Sequence, residues 1–473
     1  MVDFDVVVVG SGAAGLCAAL EAADAGSSVL VIDSEEVVGG SSRLSGGIIM
    51  GAGTKLQAAL GIEDSPDSLF HDYMSLNQWK LEPAVVRRLA DECGPSVDWL
   101  VEHGVRFMDR LYYSGDERVP RCHIPVAEGI GGTGVIDALY RACRQRPTIE
   151  WALNRRIDRI LMEDGVAVGV AVDDDQVHAS AVVLATGGYG ANPDLLAAHF
   201  PDTAAGGDWN WYIGAESSRG DVLDMADQIG AQLIGDNRGL LLLEPDFGKR
   251  LEISVPGWLM IVNSTGRRFF DETAPYSVTQ PLVQAQPGPV YAIFDDGAKR
   301  AALSGAATKK KSIPAAKVQL NWIEPVIDEM IAAGVVRQAP TIAELAELIG
   351  VPIDNLEGTV DGYNIGAAFG RDPYYLKDGR LIRPINQGPF YATELRLSVI
   401  AVTSHGLRID PEARVQDRRT LPIPGLFAAG ECTGGVLGAT YVGSGNSWAN
   451  CVTYGRIAGR SAAARSRRAE VGR

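Results

Sequence analysis

Phe4-Asp5-Val6-Val7-Val8-Val9 is an almost unbroken apolar run, the pattern of a strand buried on both faces. It breaks into Gly10-Ser11-Gly12-Ala13-Ala14-Gly15 and then into Leu16 to Ala25, which predicts a helix. Ser28 to Ile32 predicts a second strand, ended by Asp33. Residues 65 to 110 read as helices, with Val86, Leu89, Val97, Leu100 and Val101 at helical spacing between Ala84 and His103. Ile149 to Val172 predicts a β-meander that includes Ile157 to Met162 and turns at Glu163-Asp164-Gly165. It feeds the apolar strand Ser180 to Ala185, which runs into Thr186-Gly187-Gly188-Tyr189. The character changes near Gly239, where Thr341 to Leu348 and Asp354 to Ala368 predict helices. From Pro389 strands and glycine turns return, as Gly406 to Asp410 and Leu426 to Glu431.

The first turn is a GxGxxG between a strand and a helix, with an acid closing the next strand. In that setting Gly10 makes the tight turn, Gly12 admits a pyrophosphate to the backbone, and Gly15 lets helix pack on strand. Asp33 stands where a ribose-binding acid belongs. Gly39-Gly40-Ser41-Ser42-Arg43-Leu44-Ser45-Gly46-Gly47 combines glycines with hydroxyls and suits a flat, phosphate-bearing cofactor. The Ala185-Thr186-Gly187 strand end permits another close approach. Strand, GxGxxG, acid, meander and Ala-Thr-Gly-Gly follow in the order of an FAD-binding doubly wound fold. The expected architecture is α/β: a Rossmann-like FAD domain over 1–236 and 381–473, interrupted by a second, α+β domain over 237–380.

A chain of 473 residues is long enough for two domains. Its 43 basic and 59 acidic residues, net charge −16, argue against nucleic acid or an anionic membrane as partner. The five arginines from Arg460 to Arg473 read as a frayed, solvated helix end, and Lys309-Lys310-Lys311 as a solvated loop. No apolar stretch approaches the ~20 residues of a membrane span. With the first strand starting at residue 4 and no room for a leader, the expected location is cytoplasmic. Cys17, Cys93, Cys122, Cys143, Cys432 and Cys451 lack the spacing of disulfide frameworks, zinc sites, iron–sulfur clusters or c-type haem, and no metal is expected.

These stretches resemble the fumarate reductase and succinate dehydrogenase flavoprotein superfamily, most closely its 3-ketosteroid dehydrogenases, over nearly the whole chain. The resemblance rests on GSGAAG, the Asp33 strand, GGSSRLSGG, ATGGYG, Gly266-Arg267-Arg268-Phe269, Pro389-Phe390-Tyr391, Ala428-Ala429-Gly430-Glu431, Gly434-Gly435, and Gly455-Arg456-Ile457-Ala458-Gly459. It implies FAD beneath a capping domain and hydride transfer at a carbon–carbon bond next to a carbonyl or carboxylate. FAD contacts are expected from Gly10, Gly12, Ala13, Ala14, Gly15, Asp33, Ser34, Gly40, Ser41, Ser42, Ser45, Gly46 and Gly47. Further contacts are expected from Ile157, Ala185, Thr186, Gly187, Asp221, Gly430, Asn446, Ser447 and Glu431, the last on the ribitol. The GGSSRLSGG loop holds no histidine for covalent attachment, so FAD is expected to be noncovalent. With no second GxGxxG for a nicotinamide cofactor, an external electron acceptor is expected.

Departures from fumarate reductases narrow the substrate. Those enzymes resemble this chain around Asp271 to Tyr276 but carry arginine at the position of Tyr276. They also carry a carboxylate-gripping arginine at that of Tyr441 and a histidine at that of Val402. Tyrosine offers a neutral hydroxyl and an apolar ring where arginine offers a charged fork. A small apolar ketone is therefore the expected substrate, desaturated next to its carbonyl. The alternative is an ene-reductase of an unsaturated acid or enone. The patterns Glu272-x-x-Pro275-Tyr276 and Tyr441-Val442-Gly443-Ser444-Gly445 resemble those of 3-ketosteroid dehydrogenases. In that family one tyrosine, here Tyr276, accepts the alpha proton, by a stabilised phenolate or a proton relay. Tyr441 with the amides of Gly443, Ser444 and Gly445 would polarise the carbonyl. Without the resemblance, both tyrosines read as packing residues. His405 either tunes the flavin or relays a proton, or is a hydrogen-bonded structural histidine. His123, ahead of Gly129 to Gly134, marks an expected flavin-side or substrate-entry loop.

Overall fold

The computed structural model describes residues 2–113, 115, 117–251, 255–301, 321–438 and 440–471, with side chains through 467. Lys309-Lys310-Lys311 and the side chains of Arg468 and Arg473 lie outside these residues.

The expected α/β doubly wound fold is present. Its main sheet runs in the spatial order Arg414–Gln416, Pro422–Ala428, Asp175–Leu184, Phe4–Val9, Val29–Ile32 and Ile149–Ala152. Along that path all neighbours are parallel except the outer Arg414–Gln416 strand. Val6, Val7 and Val8 are fully buried, as a strand covered on both faces requires. The meander is narrower than its apolar pattern implies. Ile149–Ala152 belongs to the parallel sheet, and only Arg159–Glu163, Val166–Val172 and Asp175–Leu184 pair antiparallel. Ile157 precedes the first of these strands instead of starting it.

Helix Ala13–Asp24 packs on the C-terminal helix Asn446–Val471. A Cβ on Gly455 would come within 2.4 Å of Ala14 O, and one on Gly459 within 2.3 Å of Ala18 O. The two glycines, four residues apart, let the helices close backbone to backbone. That helix does not fray at Arg460, because Ala462, Ala463 and Ser466 are buried and Ser466 Oγ donates to Asp5 Oδ1.

A second sheet, six-stranded among the described residues, lies elsewhere in the fold. Its spine is the 14-residue strand Phe390–Thr403, which lies beyond the residue-380 boundary expected for the inserted domain. One half pairs with Val290–Asp295 and Arg337–Ala339, the other with Gly239–Glu244. The chain passes between the two sheets at Gly235 to Arg238 and at Thr403 to His405. These crossings lie side by side, with Ser404 N donating to Arg238 O and Leu233–Ile234 paired to Gly406–Leu407.

Candidate active site

Two cavities adjoin, the second also walled by the second sheet, and share Ser41, Ser42, Glu431 and Cys451. The first runs along the strand ends and is lined by Gly10, Gly12, Ala13, Ala14, Asp33, Ser34, Gly40, Ile157, Ala185, Thr186, Gly187, Asp221 and Gly430. Thus most of the expected cofactor residues come together. Gly15 does not line it: a Cβ there would sit 1.9 Å from Gly10 O, so this glycine serves the helix-on-strand contact. Asp33 Oδ2 accepts from Ser11 N and Ser11 Oγ, both at 2.6 Å, and its Oδ1 from Glu35 N at 2.8 Å. The acid therefore shapes the turn as well as facing the cavity. Arg155 and Arg156, unforeseen in the sequence, also line it, and Arg156 pairs with Asp221.

The second cavity encloses about 1210 Å³, part of it open to solvent. Ser45, Gly46, Gly47, Tyr276, Tyr441, Ser444, Gly445 and Ser447 line it, again as expected. Asn446 does not; it is buried, and its Oδ1 accepts from Tyr73 Oη. The remaining wall, missed in the sequence, is mostly apolar: Ile48, Ile213, Leu240, Leu242, Leu437 and Trp448 among others. No arginine, lysine or histidine is among the described lining residues.

The two tyrosine rings pack in one apolar cluster on this cavity, centroids 5.8 Å apart and planes tilted by 52°. Tyr276 opens helix Tyr276–Gln284, and its Oη lies 2.8 Å from Ser444 Oγ. Tyr441 Oη lies 2.8 Å from Ser447 Oγ and accepts from Ser447 N at 3.0 Å. Gly445, at φ +91°, turns the chain into the last helix where a Cβ would strike Met50 N. Burial pushes Tyr441 up to about 12, Ser447 opposing it, and drives Tyr276 well above the usual tyrosine range, the neighbouring Tyr441 adding to the effect. Both are neutral phenols at physiological pH. A resting phenolate at Tyr276 is thus disfavoured, which leaves the relay form of the expectation.

Four residues before Tyr276, Glu272 sits in a buried ion cluster. Glu272 is fully buried between Arg268, at 2.7 Å, and Lys377, at 3.2 Å, and also accepts from Ile261 N. Arg268 reaches on to Asp372 at 2.8 Å.

Two histidines fall elsewhere. His405 lines neither cavity. It is buried beside the chain crossing, its ring stacked on His199 at 4.2 Å and 8°. Its Nδ1 lies 2.9 Å from Asp236 Oδ1, yet neither ring nitrogen makes a hydrogen bond. Burial lowers its pKa, Asp236 opposing and His199 adding to the fall. The donor atoms of His199, Asp236 and His405 lie within 4.8 Å of one another. Both Nδ1 atoms close on the same carboxylate oxygen, Asp236 Oδ1, His199 at 3.2 Å and His405 at 2.9 Å. His123 is buried between Thr54 Oγ1 and Arg121 O, both at 3.0 Å, a structural position. The glycine run after it packs on the cofactor loop, with Gly132 N donating to Ser45 O.

A dinucleotide fits these groups. Thr186 Oγ1 in the first cavity and Asn450 Oδ1 in the second are buried without a partner, and the joined cavities give a continuous path. Residues 5–448 match the family described as FAD binding domain. The chain belongs to that family. FAD is its cofactor, and the chain is a flavoprotein oxidoreductase of the fumarate reductase type. It is 32% identical to a fumarate reductase (cytochrome) of Shewanella frigidimarina, over 98% of this chain and 78% of that one. It is 30% identical to a vinyl phenol reductase of Lactiplantibacillus plantarum, over 97% and 96%. Among solved structures it is similar to a 3-ketosteroid-Δ4-(5α)-dehydrogenase of Rhodococcus jostii in complex with 4-androstene-3,17-dione. That likeness has a TM-score of 0.79 at 28% identity and covers 98% of both chains. No helix among the described residues is long and apolar enough to cross a membrane.

Proposed function

We propose that this flavoprotein dehydrogenates a neutral cyclic ketone, a 3-ketosteroid or similar ring, forming a double bond next to the carbonyl. The observation that carries this reading is the cavity wall: two tyrosines, serines, Asn450, the acid Glu431 and otherwise apolar side chains, with no cation among the described residues to pair a carboxylate. An unpaired carboxylate in such a wall would pay a desolvation cost of several kcal/mol. A ketone needs one or two hydrogen-bond donors and otherwise apolar surface.

FAD, when noncovalently bound, supplies the hydride-accepting ring. Tyr441 Oη and the amides near Gly445 polarise the ketone oxygen and so acidify the alpha carbon. Tyr276 Oη receives the alpha proton as its own proton passes to Ser444 Oγ, 2.8 Å away, and the serine's proton passes on to solvent at the open side of the cavity. The apolar leucines exclude water and orient the ring system. Electrons leave to an external acceptor.

A second reading runs the same groups in reverse, as a reductase of an enone. Neutral Tyr276 favours it, because a protonated phenol is already a proton donor. Relatives named as reductases favour it too. Dithionite-reduced protein mixed anaerobically with cyclohexenone, a steroid enone or fumarate separates the substrate classes. We expect neutral enones to reoxidise the flavin at least 100-fold faster than fumarate. Comparable rates with fumarate would overturn the neutral-substrate reading.

A further inference from the structure

Ser447 lines the second cavity where a cofactor contact is expected, but its hydrogen bonds go to a tyrosine. Ser447 N donates to Tyr441 Oη at 3.0 Å, and Ser447 Oγ lies 2.8 Å from the same oxygen. Ser447 is the second residue of helix Asn446–Val471, so its N–H belongs to the first turn, which has no helical carbonyl to meet. Gly445 and Asn446 are held by their own contacts: Gly445 O accepts from Met50 N and from Ala449 N, and Asn446 N donates to Gly443 O. The amide of Ser447 is therefore fixed by the helix itself, and Tyr441 docks onto it.

We propose that Ser447 is a positioning residue that turns Tyr441 into the carbonyl-polarising acid. An Oη that accepts from both the amide and the hydroxyl of Ser447 has its own proton left over. That proton then points into the cavity, where a ketone oxygen takes it. Donors arriving on the oxygen side of a phenol strengthen the bond its hydrogen makes, because linked hydrogen bonds polarise one another. The same two donors stabilise negative charge that shifts onto Tyr441 as the substrate becomes enolate-like. Loss of the Ser447 hydroxyl leaves the amide in place but frees Tyr441 to rotate and weakens it as a donor. The inference rests on the reading of the site as a ketone site and assigns the source of its acidity.

The test is a double-mutant cycle on the holoenzyme with Ser447→Ala, Ser447→Thr, Tyr441→Phe and Tyr441→Phe/Ser447→Ala. Ketone-driven flavin bleaching, with 5α-androstane-3,17-dione and cyclohexanone as probes, should slow about 10-fold or more in Ser447→Ala. It should recover in Ser447→Thr, and Ser447→Ala should add nothing in the Tyr441→Phe background. A readout independent of turnover is binding of 4-cyanophenol, followed by the long-wavelength band of a phenolate stacked on oxidised flavin. The pH midpoint of that band should move upward in Ser447→Ala, with FAD retained. Additive losses in the double mutant, an unmoved midpoint or loss of FAD from Ser447→Ala would overturn the inference. If instead Tyr441→Phe leaves ketone bleaching and 4-cyanophenol binding unchanged, the ketone-site reading itself falls.

Discussion

Glu272→Gln tests the buried ion cluster that lies four residues before Tyr276 in the chain. Arg268, Lys377, Glu272 and Asp372 are packed together, formally neutral as a set. Glu272 and Lys377 are fully buried and Arg268 is nearly so, its guanidinium lying about 5 Å from the Tyr363 and Tyr375 rings at 5.0 and 4.9 Å. Gln keeps the shape and can still accept from Ile261 N, but it leaves one net positive charge in a dry environment. Removing one partner of a buried pair costs about 3–5 kcal/mol. The retained acceptor places Glu272→Gln near the low end, about 3 kcal/mol, and Glu272→Ala near the high end. Burial acts to raise the Glu272 carboxyl, but Lys377 and Arg268 more than offset it and hold the group below its ordinary value of 4.5. With the folded pKa depressed, its stabilisation is present above about pH 4.5 and lost as pH falls through the folded value. Urea unfolding at pH 7, followed by tryptophan fluorescence, should show the full loss. Below about pH 4.5 the gap between the two proteins should narrow. A midpoint for Glu272→Gln equal to wild type at pH 7, or a gap that does not narrow below about pH 4.5, would refute the cluster as a stabilising element.

Further outcomes follow from individual residues. Tyr276→Phe should slow ketone-driven bleaching by roughly 10²- to 10⁴-fold while FAD stays bound; unchanged bleaching in stopped-flow would remove it from the proton path. His123 is held neutral by burial, its pKa depressed from 6.5 to about 4. Unfolded chains bind the proton first, so wild type should lose about 3 kcal/mol between pH 6.5 and pH 4; urea midpoints of His123→Gln across that range should fall less. Gly10→Ala would place a Cβ 2.2 Å from Ala185 O at a residue with φ +102°. Its protein should purify colourless, and a yellow, stable product would contradict the close contact.

What the sequence makes legible here is local. The GxGxxG turn, the Asp33 strand end, the serine-glycine loop and Ala-Thr-Gly are each read from adjacent residues, and they line the two adjoining cavities. Tyr276 and Tyr441 converge because each sits in a short motif that resembles a family pattern. The apolar wall stayed hidden, since Leu240, Leu242, Ile213 and Leu437 cannot be told from core by composition. Ile149–Ala152 has the pattern of any strand, and only its partner Val29–Ile32 decides that it is parallel. His405 shows the limit of nearness along the chain: two residues after the cavity-lining strand end, its ring turns to His199 and away from the site. The Glu272 cluster joins residues up to 105 positions apart, a pairing that no local pattern encodes.

The central claim is that the cavity oxidises a neutral ketone by way of its two tyrosines. Anaerobic stopped-flow mixing of the oxidised holoenzyme with 5α-androstane-3,17-dione, cyclohexanone and succinate, watched at the flavin band, tests it most directly. The account predicts bleaching by a ketone, none by succinate, and loss of bleaching in Tyr276→Phe. Bleaching by succinate, or persistent yellow with every ketone, would contradict it.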